Sequence, residues 1–471
     1  MQHMTQPALL WFRQDLRLTD NPALAAVTDR PCLAIYVLDD EAAGAWAHGR
    51  AQRWWLHHSL AALDDELRQR GAALHIARGS ASRIIPELAA SVGAAEVIAG
   101  RLYEPWARQR DAAIAETLNA AGRTLTLHTS SLLHEPHRIR TGTGKPYSVY
   151  TPFSRALFAL GEPPRPLPAP ETINAIAEPG LKLEALELLP RRDWADDFPR
   201  HWQPGETGAA RRIAEFAAFT RYDSTRNLPG IPGTSGLSPH LRFGEISPRQ
   251  VWHAAREAGV AGEATYLKEI IWREFAYHLL WHHPGLPEAP MQEGFARFPF
   301  QPDAASLRAW QRGMTGYPIV DAGMRQLWRS GWMHNRVRMI AASFLVKHLL
   351  QPWQAGEAFF WDTLVDGDLA SNSVSWQWVA GCGADAAPFF RIFAPVLQGE
   401  KFDADGAYVR RWVPELARLP DKFLHKPWEA PEAILQAAGL RLGADYPRPI
   451  IAHAEGRARA LAAYATMRGG A

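Results

Sequence analysis

The first 130 residues alternate short apolar runs with segments of helical periodicity, and this alternation narrows the possible folds more than any other feature of the chain. The apolar runs are Ala8–Phe12, Cys32–Leu38, Leu74–Ala77, Glu96–Ala99 and Leu125–His128. Between them lie stretches such as Arg50–Arg70 and Arg108–Ala121, where apolar side chains recur at helical spacing. The pattern predicts a parallel, doubly wound (Rossmann-like) α/β domain over residues 5–130. No Gly-x-Gly-x-x-Gly follows the first run, which argues against a nicotinamide dinucleotide dehydrogenase.

Between residues 131 and 204 the periodicity dissolves and proline clusters, as in GEPPRPLPAP at 161–170, so this stretch is predicted as an interdomain linker. Helical spacing returns over residues 205–471 and predicts an all-helical second domain. Ser238-Pro239 and Ser247-Pro248 both read as helix starts, with an N-cap serine before a proline at the first helical position. Gln250 adds the spacing of a capping box to Ser247.

Nowhere does an apolar run reach the roughly 18 residues that a membrane span needs. Met1–Phe12 does not read as a targeting segment, so a soluble, cytoplasmic protein is expected. Only Cys32 and Cys382 occur, too few for a four-cysteine zinc or iron–sulfur site; they read as reduced core residues, and no metal is expected. With 51 basic and 49 acidic residues the net charge is +2, so any nucleic-acid surface must come from local clustering.

Four segments carry groups suited to chemistry. In RYDSTRNLPGIPGTSGLS (221–238), glycines and hydroxyl residues lead into a predicted helix start, which suits either a diphosphate or an ordinary capped loop. In YLKEIIWREF (266–275), Glu269, Trp272 and Arg273 share a helix face, as an ion-paired surface or as the wall of a cavity for a flat polar ring. In GWMHNRVRM (331–339), Trp332, Asn335, Arg338 and Met339 are predicted on one helical stripe, with Arg336 on another side. Burying such polar groups is expensive unless they meet a ligand. In VDGDLASNSVSWQWV (365–379), Asp366 and Asp368 flank a glycine and Asn372 follows one turn later, without the further ligands of an EF-hand.

Taken together, these segments cease to be ambiguous. ALLWFRQDLRLTDNPAL, GTSGLSPHLRFGEISPR, EIIWREF, TGYPIVDAGMRQL, GWMHNRVRMIAASFLVKHLL and DGDLASNSVSWQWVAGCGADAAPFFRIFAPVLQGEKFD resemble, in order, the signatures of the photolyase/cryptochrome family. The likeness runs from residue 8 to about 415 and is nearest in motif to the class I cyclobutane-pyrimidine-dimer photolyases. It implies an α/β antenna domain followed by an all-helical domain that binds FAD. By match to the family motifs, Tyr222, Thr234, Ser235, Gly236, Leu237 and Ser238 hold the phosphates and ribityl chain. Glu269, Arg273, Trp332, Asn335, Arg338, Asp366, Asp368 and Asn372 surround the cofactor, with Asn372 facing flavin N5.

The resemblance also implies a light-driven deoxyribodipyrimidine photo-lyase, a carbon–carbon lyase acting as a monomer on DNA that contains pyrimidine dimers. The lesion pocket maps onto Glu269, Trp272, Asn335, Met339 and Trp378, with the indoles as stacking walls for a flipped-out dimer. Contacts to DNA map onto Arg226, Trp272, Asn335, Arg336, Arg391, Gln398 and Lys401. Excited, reduced FAD gives an electron to the dimer and regains it after the ring splits, while Glu269 stabilises the radical anion. Asn335 stands where the (6-4) photolyases place histidine, which favours the dimer-repair branch.

Two features depart from the family. Trp376 and Trp353 match the inner members of an electron-hopping chain, but the outer position is Phe300, which is harder to oxidise than an indole. Photoreduction of oxidised flavin is therefore expected to be slow or to use another outer donor, while repair by flavin already reduced is spared. The folate-contact segments read Tyr103-Glu104-Pro105-Trp106, where Trp106 replaces an expected amide, and Gly285-Leu-Pro-Glu288, which lacks the usual lysine. The second chromophore thus stays open between methenyltetrahydrofolate, a deazaflavin, another flavin and none. The alternative function is a cryptochrome-type blue-light photoreceptor without repair activity, opposed by Glu269, Asn335, Trp378 and the lack of a long C-terminal tail.

Overall fold

The structure, a computed structural model, describes residues 6–192, 194–217, 221–259, 262–385 and 391–469. The chain divides into two compact units. One comprises Met1–Thr220, Ser235–Pro284 and Val365–Ala370, and the other Arg221–Thr234, Gly285–Leu364 and Ser371–Ala471.

In the first unit, strands β1 (Ala8–Phe12), β2 (Cys32–Leu38), β3 (His75–Arg78), β4 (Glu96–Gly100) and β5 (Thr124–His128) form a sheet of order β3-β2-β1-β4-β5. Every pairing is parallel, with Ala8 opposite both Cys32 and Glu96. β1 and β2 are apolar along their whole length because both faces are covered. Leu9, Trp11, Ile35 and Val97 pack with Ile85 of the helix Ala81–Ser91 and Ile114 of the helix Pro105–Ala120. The alternate residues Leu10, Phe12, Ala34 and Tyr36 are buried as well. The Pro105 helix starts three residues before the predicted Arg108, since proline is well suited to the first turn.

A buried polar knot fastens this unit. Arg17 is fully buried and donates to the carbonyls of Asp20 (2.7 Å), Gly244 (2.9 Å) and Ser130 (3.0 Å). Asp20 in turn accepts from the backbone of Leu167 (3.0 Å) and from Arg249 Nε (3.0 Å). The opening signature is therefore largely architectural, tying β1 to segments far along the chain.

The helices Glu206–Ala217, Ser238–Phe243, Pro248–Ala258 and Glu263–His282 also belong to this unit, as does Tyr150–Phe158 within the proline-rich stretch. Ser247 and Gln250 form the expected capping box, at 3.0 and 2.8 Å. Ser238 differs from expectation. Leu237 already has helical angles and stands at the cap, so Ser238 is the first helical residue and not the N-cap. Ser235 Oγ instead accepts from the Leu237 N–H (3.4 Å), closing a turn one step earlier.

The second unit is helical, built around a core that includes Trp310, Tyr317, Val337, Phe344, Trp353, Phe360 and Trp376. The helix Pro318–Ser330 ends at Gly331, whose φ of +66° closes the C-terminus, and the next helix begins only at Asn335. Trp332 therefore lies on the connection and not on the helical stripe predicted for it. Among the described residues no helix is long and apolar enough to cross a membrane.

Candidate cofactor and substrate site

In the first unit the candidate residues gather along the helix Glu263–His282. Tyr266 is buried and bonds the side chain of Ser235, which fixes the Ser235–Ser238 turn against the helix. Gly236 within that turn has φ +65°, a conformation that favours glycine. Glu269, Trp272 and Arg273 follow on one face and are all partly buried. Arg273 donates to Ser131 O (2.5 Å) and Leu241 O (3.4 Å), and its guanidinium lies over the Tyr277 ring at 5.0 Å.

Tyr277 connects this face to the Asp-Gly-Asp turn, because its hydroxyl donates to Asp368. Burial, and then the Asp368 charge, push the Tyr277 phenol well above its ordinary range, so it remains a donor. The turn is held from another side by Arg242, whose Nε donates to Gly367 O (2.6 Å). Asp366 and Asp368 are both buried, at 7% exposure each. Trp272 is stacked face to face on Tyr150, with centroids 3.6 Å apart and planes 2° from parallel, while the Tyr150 hydroxyl donates to Lys268 O (2.9 Å). One face of the indole is thereby covered by the protein.

In the second unit His334 starts the helix Asn335–Ser343 by accepting from the Arg336 N–H at Nδ1 (3.2 Å). Burial, then Arg338, Arg336 and Arg226, pull this imidazole down to about 4, so it is neutral and able to accept. Arg338 donates to Met333 O (2.7 Å) and lies 5.8 Å from the Trp332 ring centroid. Asn335 is exposed at the helix start, and Met339 is partly buried one turn on. Tyr222 is buried, with the Arg226 guanidinium 5.6 Å from its ring centroid. Thr234 is partly buried.

Asn372 is buried on the helix Leu369–Ala380, and its Nδ2 donates to Glu357 O (3.1 Å). That bond uses the donor end of the amide, so the oxygen is the end fit to accept a protonated ring nitrogen. This donor set suits a flavin. Trp376 and Trp353 are both buried in the core, and Gly356 leaves space filled by the Trp376 ring. Trp310 stands 6.3 Å from Trp376 but is fully buried, so it offers no direct exit to solvent. Phe300 is partly buried and packs on Phe298 at 4.7 Å. Trp378, whose Nε1 donates to Asp385 O (3.1 Å), lines a small cavity of about 20 Å³ together with Arg391 and Lys347. Gln398 and Lys401 share the helix Pro395–Phe402.

Several contributors escaped sequence reasoning: Tyr150, Tyr266, Tyr277, Arg242 and Glu357. Tyr266 and Tyr277 lie on the same predicted helix as Arg273, so helical spacing could have drawn attention to them. Tyr150 and Arg242 act through contacts between segments remote in sequence, which no periodicity reports. A separate cleft of about 510 Å³ in the first unit is lined by Glu66, Arg70, Glu206 and Glu245 and contains none of the candidate residues.

Residues 8–171 match the family model described as DNA photolyase, and residues 266–466 match that described as the FAD binding domain of DNA photolyase. The chain is 50% identical to a deoxyribodipyrimidine photo-lyase of Agrobacterium fabrum, covering 99% of each chain. It is 39% identical to cryptochrome-1 of Arabidopsis thaliana, over 98% of this chain and 70% of that protein. It superposes on a bacterial class III photolyase from Agrobacterium tumefaciens with a TM-score of 0.95, at 50% identity, covering 99% of this chain and 98% of that one.

Proposed function

The chain belongs to the DNA photolyase family and binds FAD, and from that premise we propose that it repairs cyclobutane pyrimidine dimers in DNA under blue light, as a deoxyribodipyrimidine photo-lyase. When bound and fully reduced, FAD would supply the excited-state electron chemistry that opens the cyclobutane ring. The residues of this chain bind, orient and exclude water. By the family motifs, the Ser235–Ser238 turn and Tyr222 would hold the phosphates and ribityl chain, Arg273 and Asp368, both tied to Tyr277, would hold the ring, and the Asn372 oxygen would be the acceptor offered to it. Glu269 would hydrogen-bond the dimer, and the face of Trp272 away from Tyr150 would stack against one of its bases. In the second unit, Trp378, Asn335 and Met339 are the positions that the family motifs assign to the lesion. Arg226, Arg336, Arg391, Gln398 and Lys401 meet the DNA.

The observation that carries this is the face of the Glu263 helix, where a carboxylate, an indole with one side already stacked and a tethered guanidinium stand within two turns. Motif likeness points to class I, whereas the full-length superposition is on a class III photolyase. In darkness the protein should bind ultraviolet-irradiated oligothymidylate more tightly than the unirradiated strand. Trp272→Ala should lose that preference by about tenfold, from the roughly 1–3 kcal/mol of a base–aromatic stack. Equal affinity of the wild type for both strands would remove the lesion pocket from the account.

A further inference from the structure

Arg336 is a half-buried guanidinium held on three sides. Its Nη2 donates to Asn227 Oδ1 (2.8 Å), its Nη1 lies 3.7 Å from Met339 Sδ, and its Cζ sits 4.5 Å from the centroid of Phe402. Its Nε is buried and makes no hydrogen bond. None of these groups is anionic, and the charge acting on Arg336 is another cation, Arg226. Phe402 also carries Lys401, whose Nζ lies 5.3 Å from the same centroid. The ring is partly buried, and the next residue anchors it. Asp403 is buried and accepts from the backbone of Tyr408 (2.8 Å) and Val409 (3.0 Å).

Holding the Arg336 guanidinium half-buried among an amide, a thioether and an aromatic ring, with its Nε unsatisfied, costs free energy that a bound anion would return. An aromatic face can hold a guanidinium and an ammonium without neutralising either. We infer that Phe402 and Asn227 are positioning residues of a phosphate clamp, which presets Arg336 and Lys401 to receive backbone phosphates of DNA before any lesion is engaged. The inference rests on the DNA reading given above and extends it from the cations to the groups that aim them. Because phosphates carry no sequence or lesion information, the clamp acts alike on damaged and undamaged strands. Through the Met339 sulfur it also touches a residue proposed to meet the lesion.

The test is a double-mutant cycle on the full-length protein with FAD bound. Affinity is measured by fluorescence polarisation for a labelled oligothymidylate, with and without ultraviolet irradiation, over a series of salt concentrations. Arg336→Gln should reduce the slope of log affinity against log salt by about one. Phe402→Leu, which keeps every charge, should weaken both probes equally, by about fivefold. In the Arg336→Gln background the same change should cost less than about twofold, and Phe402→Tyr should restore near wild-type affinity. FAD absorbance reports folding of each variant. If Phe402→Leu loses FAD, Asn227→Ala carries the same cycle, with an expected loss of about threefold that disappears in the Arg336→Gln background. Wild-type affinity in both Phe402→Leu and Asn227→Ala, equal losses with and without Arg336, or an unchanged salt slope in Arg336→Gln would overturn the clamp while leaving lesion binding intact. Failure of the wild type to bind either strand would instead overturn the DNA reading, and the clamp with it.

Discussion

Glu357 makes a stability prediction whose sign and size follow from its surroundings. It lies one turn after Trp353 on the helix Trp353–Thr363, is 1% exposed, and accepts from Ser373 Oγ (2.5 Å). Burial pushes its carboxyl up from 4.5 to about 8; the Ser373 bond opposes this and the Glu288 charge adds to it. At neutral pH the folded protein therefore keeps a proton there that the unfolded chain releases. Between those two values folding binds a proton, so stability falls as pH rises, at up to 1.4 kcal/mol per unit. Integrated from about pH 6 to about pH 8, the loss assignable to this residue is roughly 2 kcal/mol. Below the ordinary carboxylate range the stabilisation is fully present and no longer changes with pH, and well above pH 8 the loss levels off. Glu357→Gln mimics the protonated carboxyl and keeps an acceptor for Ser373, so it should remove this share of the pH dependence. Urea unfolding followed by circular dichroism at a series of pH values gives the difference between wild type and variant directly. Burial also raises Glu274 to about 7, and burial with Glu206 raises Glu66 to about 8, so the wild-type curve is steeper than one group explains. The subtraction removes those groups. A difference that stays constant across this range would refute the assignment of a neutral, buried carboxyl.

Three further expectations concern other parts of the molecule. Phe300→Trp should speed photoreduction of the oxidised flavin, followed as bleaching under blue light with an external reductant, and an unchanged rate would show that Phe300 does not limit that path. Tyr150→Leu leaves Trp272 unsupported and should weaken binding of irradiated strands by about fivefold relative to unirradiated ones, from the roughly 0.5–1.5 kcal/mol of an aromatic pair; parallel losses on both strands would contradict a role in the lesion pocket. Arg17→Leu strips the partner from the buried carbonyls of Asp20, Gly244 and Ser130 and should cost about 3–5 kcal/mol, seen as a loss of folded protein or a large drop in Tm. A Tm near wild type would mean that the knot is dispensable.

The sheet was legible because its central strands are apolar on both faces and the helices between them keep a clear period. β1 and β2 match their predicted limits, whereas β3 begins one residue late at His75, at the sheet edge where fewer neighbours define the ends. The Ser247 capping box was legible since both partners are three residues apart. The same reasoning failed at Ser238 and Trp332 for local reasons. Leu237 enters the helical region early, and Gly331 stops a helix where the apolar spacing alone suggested continuity. What no period could reveal are groups joined by the fold, such as Trp272 with Tyr150 or Arg336 with Asn227 and Phe402. Motif likeness selected the residues proposed to face the ligands. The side chains that aim them came only from the three-dimensional contacts.

The central claim is most directly tested by giving chemically reduced protein a dimer-containing oligonucleotide and measuring intact thymines with and without blue light. Pre-reduction removes the Phe300 position from the outcome. The account predicts restoration that depends on light and falls sharply in Glu269→Ala. Bound, reduced FAD with no restoration under light would contradict it and leave the photoreceptor as the function of the same fold.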